Sequence, residues 1–253
     1  MSGLPSDPST KPLAVLIDAD NVNRRSIPAV LAEIATYGTA SVRRIYGNWA
    51  QSNLKGWEED LLKHSIQPIQ QFSYTKGKNA TDIAMVIDAM DLLHSGRFSG
   101  FCLVTSDSDF TRLAARIREQ GLTVYGFGEE KTPKPFVNAC DKFIRTEVLS
   151  AVVEEEAGSG TATPPPKKKT KEQLSKDRKL VSAIRKAIDA VTNEESEWAS
   201  LGGVGSNLSK LMPDFDPRIH GYARLSDLVR AIDAFEVQRK DQHIQIRTKP
   251  KNA

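Results

Sequence analysis

Leu13-Ala14-Val15-Leu16-Ile17-Asp18-Ala19-Asp20-Asn21 sets five apolar residues directly before an acidic cluster. An apolar run of this length reads as a strand buried on both faces, the kind found in parallel sheets. The same arrangement returns at Phe101-Cys102-Leu103-Val104-Thr105, with Asp107-Ser108-Asp109 close behind. Between them Asp82 opens a helical pattern. In a parallel α/β sheet the outer two clusters project from the carboxyl edge, where such folds place their sites. Carboxylates converging at one edge repel each other. A fold tolerates that only when they are protonated, well hydrogen-bonded or holding a cation. A divalent-metal site is therefore the leading expectation.

The rest of residues 12–149 supports a parallel sheet. Strand patterns at 13–17, 41–46, 66–72, 101–105 and 122–127 alternate with helical patterns at about 28–37, 53–64, 80–94 and 110–120. Pro68 interrupts the third strand. A further helix is predicted from Thr132-Pro133, with Thr as cap and Pro as first helical residue. Such a βαβ rhythm predicts an α/β fold with helices on both faces of the sheet.

The 253 residues suffice for one or two domains, and a net charge of +3 says little about partners. Charge distribution says more. Residues 167–180 hold seven Lys/Arg against two acids, shortly after Glu154-Glu155-Glu156. Two cysteines without a CxxC exclude a disulfide framework and a zinc knuckle. No apolar run is long enough to span a bilayer, and Met1 to Lys11 lacks a signal-peptide core, so no membrane partner is expected and a cytoplasmic location is the default.

Residues 150–173 change character. Gly158-Ser159-Gly160, Pro164-Pro165-Pro166 and Lys167-Lys168-Lys169 cannot build a core, and the stretch reads as a linker. Order resumes over 174–250. Leu180, Val181, Ile184, Ile188 and Val191 share one helical face. A short helix is predicted at Leu208 to Met212, introduced by Gly202-Gly203-Val204-Gly205, and a third at Leu225 to Phe235. The closing residues alternate like two strands around Lys240-Asp241-Gln242. Three helices followed by a hairpin are the layout of a winged helix.

Each acid has a bland alternative. Asp18 could simply end a strand; Asp107, Ser108 and Asp109 could cap the next helix; Asp82 could be an early acid in a helix capped by Asn79. Helix caps have no reason to meet in space, so convergence would favour a shared site. Oxygen donors without Cys or His suit Mg²⁺ or Mn²⁺, and such a centre suits phosphodiester hydrolysis. Asn21 is expected to support a ligand Asp or a water, and Asp20 to face away. Asp88 is ambiguous and Asp91 reads as solvated. Lys76, Lys78, Lys131 and Lys134, with Arg43 and Arg44, are candidates to guide a phosphate backbone, and Trp49 and Trp57 to stack on bases or pack the core.

These motifs, with Lys78-Asn79-Ala80-Thr81-Asp82, Thr105 to Phe110 and the stretch Gly121 to Phe143, resemble the NYN domain of LabA-like proteins, within the PIN-like nucleases. The resemblance covers 12–149. It implies a Rossmann-like sheet in 3-2-1-4-5 order and RNA cleavage at a Mg²⁺ or Mn²⁺ centre. Carried over by motif position, Asp18, Asp82 and Asp107 are the metal residues, with Asp109 and Asn21 supporting them. Residues 174–250 resemble the OST-HTH/LOTUS domain through Leu201 to Gly205, Gly221 to Leu228 and the hairpin. That resemblance implies RNA binding, of a single-stranded or structured RNA, or protein binding, with Lys210, Arg218, His220 and Arg224 as candidate RNA contacts.

The expected function is a metal-dependent endoribonuclease with a C-terminal RNA-binding module. A non-catalytic RNA-binding adaptor is the alternative. A haloacid-dehalogenase-type phosphatase is a third reading, resting on Asp18-x-Asp20 as nucleophile and acid. It lacks clear Ser/Thr and Lys motifs between the acidic clusters and gives Asp82 no role.

Overall fold

The computed structural model describes residues 11–50, 52–72, 79–149, 167–192, 196–241 and 243–249. They divide into two compact units, with the division near residue 162.

The first unit is built on six parallel strands, β1 (Pro12–Asp18), β2 (Thr39–Gly47), β3 (Gln67–Gln70), β4 (Gly100–Val104), β5 (Thr123–Gly128) and β6 (Lys142–Arg145). Their order is β3-β2-β1-β4-β5-β6, the expected order extended by one edge strand. The chain builds outward from β1 through β2 to β3, then returns to the other side of β1 as β4. The switch point therefore lies between β1 and β4, which pair from Leu13 with Gly100 to Ile17 with Val104.

Period-two alternation decides what each strand offers to each face. Leu13, Val15 and Ile17 enter one core with helix α1 (Ile27–Ala35) and Trp57. Ala14 and Leu16 enter the other, with α3 (Ala80–His94), α4 (Thr111–Glu119) and α5 (Lys134–Ala139). Asp18 continues the parity of Ala14 and Leu16, and Thr105 that of Phe101 and Leu103. Both side chains thus leave the sheet on the face that carries α3 and α4.

Between β2 and β3, a 3-10 turn (Ser52–Trp57) leads into α2 (Glu58–His64), where a single helix was expected. Thr132 does not cap α5. Pro133 holds the cap position and the Thr132 hydroxyl donates to Glu129 O at 2.6 Å. Gly128 ends β5 where the backbone passes Thr105: a Cβ would lie 2.6 Å from Thr105 O. Only glycine fits beside the strand end that supports Asp18.

The second unit packs α6 (Lys171–Lys176), α7 (Arg178–Asp189), α8 (Leu201–Leu211) and α9 (Leu225–Ala231) against a three-stranded antiparallel sheet. Its strands are β7 (Ala199–Ser200), β8 (Phe235–Lys240) and β9 (His243–Thr248), in the order β7-β9-β8. Helix α6 begins inside the stretch expected as linker. A reciprocal capping box between Thr170 and Gln173 starts it, and Leu174 is fully buried. Of the expected linker, residues 150–166 lie outside the described residues.

Helix α8 is longer than expected, and Gly202, Gly203 and Gly205 lie within it. Ser200 caps it by accepting from Gly203 N at 3.2 Å, and Leu201, Val204 and Leu208 bury one face. Tertiary burial outweighs the poor helix propensity of glycine here. A Cβ on Gly203 would crowd Val191 at 3.0 Å, which explains a small residue at that turn. Helix α9 ends at Ala231, short of the expected Phe235, which instead begins β8.

If Leu174 is core rather than linker, Leu174→Ala lowers the stability of the second unit by about 2–5 kcal/mol. A thermal melt checks it: the transition of the second unit falls and that of the first stays. An unchanged melt would return Lys171–Lys176 to the linker.

Candidate metal centre

Asp18 is buried to 1% exposure at the end of β1. Its Oδ2 accepts from Asn21 Nδ2 at 2.9 Å and Thr105 Oγ1 at 2.8 Å, and its Oδ1 accepts from Asp20 N at 3.1 Å. Burial still raises its pKa, with those three hydrogen bonds and the nearby Asp20 charge as smaller influences. The Asn21 amide therefore holds a carboxylate in place, while Asp20 is exposed.

Thr105 is a link that the sequence reading missed. Its hydroxyl donates to Asp18 and accepts from Asp107 N at 3.0 Å, which joins the ends of β1 and β4. The available signal was its parity with Phe101 and Leu103, which points it to the same face as Asp18.

Asp107 Oδ1 accepts from Asp109 N at 2.9 Å and caps the 3-10 turn Ser108–Phe110. The bland reading of Asp107 as a cap is thus correct for one of its oxygens. It does not keep Asp107 from its neighbours: oxygens of Asp82, Asp107 and Asp109 lie within 4.8 Å of one another. Asp18 stands outside that group of three. Asn79 occupies the N-cap position of α3, yet its side chain makes no cap bond there. Its amide donates to Asp109 Oδ2 at 2.9 Å, a second role that the sequence reading missed.

The electrostatics follow from this crowding. Asp82 lies in the first turn of α3, where the helix dipole favours negative charge. Its pKa is nevertheless pushed up to about 6, first by burial and then by the charges of Asp18, Asp107, Asp109 and Asp20. Burial and four acidic neighbours together outweigh one helix terminus. The donor set is all oxygen, partly exposed and overcharged, which fits a hard divalent cation.

Other candidates are placed elsewhere. Asp88 lies on α3 but faces β2, where it accepts short hydrogen bonds from Arg44 and the Tyr46 hydroxyl. Arg44 is therefore an ion-pair partner rather than a guide for phosphate, and Arg43 donates to His64 O at 2.8 Å. Asp91 is exposed. Trp57 is core, and the half-buried Trp49 donates its indole N–H to Ile69 O at 3.0 Å. Lys131 is exposed and paired with Glu129 at 2.8 Å, while Lys134 opens α5. Lys76 and Lys78 lie outside the described residues. In the second unit Lys210 and Arg224 are exposed. Arg218 is clamped by both oxygens of Asp216, and His220 ends the 3-10 turn Pro217–His220.

A family model described as NYN domain matches residues 12–149, more than half of the chain. This chain belongs to the NYN-domain family. A model described as OST-HTH/LOTUS domain matches residues 171–246. Among solved structures, a protein of unknown function from Vibrio parahaemolyticus is 15% identical with a TM-score of 0.46, covering 55% of this chain and 94% of its own. A solution structure of a fragment of a Chromobacterium violaceum protein is 35% identical with a TM-score of 0.26, covering 35% of this chain and 91% of its own. The comparison with curated proteins finds no match. No helix among the described residues is long and apolar enough to cross a membrane.

The raised pKa of Asp82 has a measurable sign. The folded NYN domain favours the protonated carboxyl, so its contribution to stability is full at low pH and is lost as pH rises through about 6. Without metal, carboxyl NMR should show Asp82 titrating near 6 and moving down in Asp107→Asn. Titration near the ordinary value of about 4 would refute the combined burial and crowding of this carboxyl.

Proposed function

We propose that this chain is a metal-dependent ribonuclease that hydrolyses RNA phosphodiester bonds, its OST-HTH/LOTUS domain binding the RNA. The observation that carries this reading is the convergence of Asp82, Asp107 and Asp109, with Asp18 raising the charge of the same site. NYN and OST-HTH/LOTUS domains in one chain support a nuclease with an RNA-binding module.

Asp82, Asp107 and Asp109 would hold a Mg²⁺ or Mn²⁺ ion, and Asp18 would complete the negative field. Such an ion supplies Lewis acidity towards the scissile phosphate and acidifies water. The chain's own residues prepare the site. Asn21 and Thr105 fix Asp18, the Asp107 cap fixes the turn that carries Asp109, and Asn79 fixes Asp109 from the start of α3. Preorganisation of this kind keeps oxygens in place at little reorganisation cost during reaction. Carrying both domains on one chain raises the effective concentration of captured RNA for the nuclease domain.

A phosphatase built on Asp18 and Asp20 receives less support. Asp20 is exposed, and its charge is the smallest of the four acting on Asp82. A non-cleaving RNA adaptor would retain the same OST-HTH/LOTUS domain, so activity decides between them.

Labelled single-stranded RNA incubated with the protein and Mn²⁺ should be cut internally. EDTA, Asp18→Asn and Asp107→Asn should each abolish cutting while RNA binding persists. Asp20→Asn should retain most of the activity. RNA bound but never cut would favour the adaptor, and cleavage by Asp107→Asn at the native rate would overturn the site.

A further inference from the structure

The second unit carries an open groove of about 530 Å³ lined by α7 and the end of α8. Its basic wall is the outer face of α7, where Arg178, Lys179, Ser182 and Lys186 follow helical spacing. The inner face of α7, with Leu180, Ile184 and Ile188, is buried in the core, so the basic row is the face left to solvent. The other wall is apolar, formed by Leu211 and Met212. Leu211 is 51% exposed and lies outside the buried core of the unit, so that with Met212 it leaves an apolar edge open beside the basic row.

The charge on this wall is unspent. No acid lines the groove, and Arg178, Lys179 and Lys186 have no ion-pair partner among the described residues. Asp177, at the start of α7, is used to cap Leu180 N at 3.1 Å and faces Lys169 at 3.8 Å. A neighbouring basic groove differs. There Lys168 sits 5.0 Å over the Tyr222 ring, Lys169 faces Asp177, Arg230 meets Asp227 at 3.9 Å, and the charge of Lys171 acts on Asp233. Arg218, expected to contact RNA, is held by Asp216 at 2.7 Å.

We propose that the α7–α8 groove is the place where this unit takes single-stranded RNA, an inference that rests on the RNA-binding reading above. Arg178 to Lys186 spans about 12 Å of helix, enough to follow a backbone rather than grip one phosphate. Leu211 and Met212 give the bases an apolar surface. A duplex keeps its base faces stacked inside, so only unpaired bases can use both walls.

The test is fluorescence anisotropy of labelled single-stranded RNA with the full-length chain in EDTA, across a salt series. Lys179→Glu with Lys186→Glu should weaken binding about tenfold or more and flatten the salt dependence by about 1.4 in log–log slope, some 0.7 for each lost phosphate contact. Leu211→Ser should weaken single-strand binding while leaving the salt slope unchanged. Lys168→Glu with Arg230→Glu, in the neighbouring groove, should change affinity less than about twofold. All these positions are exposed, and an unchanged thermal melt verifies folding. Native affinity in the Lys179/Lys186 variant, with wild type still binding RNA, would overturn the groove and keep the RNA-binding reading. No RNA binding by wild type would overturn both. Loss only in the Lys168/Arg230 variant would move RNA to the other groove and leave α7 to a protein partner.

Discussion

Repulsion between carboxylates at one sheet edge is the constraint on which the candidate site depends. The fold does not avoid it. Parity along β1 and β4 sends Asp18 and Thr105 to the face of α3 and α4, and the first turn of α3 brings Asp82 to the same place. The carboxylates then divide the burden unequally. Asp18 is deeply buried but receives three hydrogen bonds. Asp107 and Asp109 each accept one from a neighbouring turn or helix start. Asp82 has its pKa pushed up to about 6, first by burial and then by the charges of its acidic neighbours. A cation would relieve that repulsion without moving any of these elements.

The supporting structure is correspondingly firm. Arg44 and Tyr46, both on the α3 side of β2, converge on Asp88. This contact ties the middle of α3 to the sheet, six residues beyond Asp82. Met85 and Ala89 bury the same side of the helix. The position of Asp82 is therefore set by packing and by a charged clamp, rather than by a loop. Gly128 has a related role under Thr105, where a side chain would push the end of β4 away.

Much of this was legible because it follows from short periods. Long apolar runs marked β1 and β4, and the helical pattern of α3 was read at its observed length, Ala80–His94. What was missed depends on contacts that periodicity does not carry. Strand β6 has four residues, two of them polar, and gains its identity from pairing with β5. Helix α6 is hidden in a lysine-rich run, and only Leu174 and the Thr170–Gln173 box betray it. The glycine helix α8 contradicts local propensity. Asn79 followed a capping rule on paper but turns to Asp109, thirty residues away. The inclusion of Asp109, rather than Asp18, in the tight group likewise depends on how a 3-10 turn approaches a helix start.

The central claim is that this carboxylate group holds one divalent ion. Mn²⁺ binding followed by electron paramagnetic resonance, at pH 6 and in the absence of RNA, addresses it most directly. The account predicts one site per chain, proton release on binding as Asp82 ionises, and loss of that site in Asp82→Asn and Asp107→Asn. Equal Mn²⁺ binding by wild type and both variants, without proton release, would contradict it.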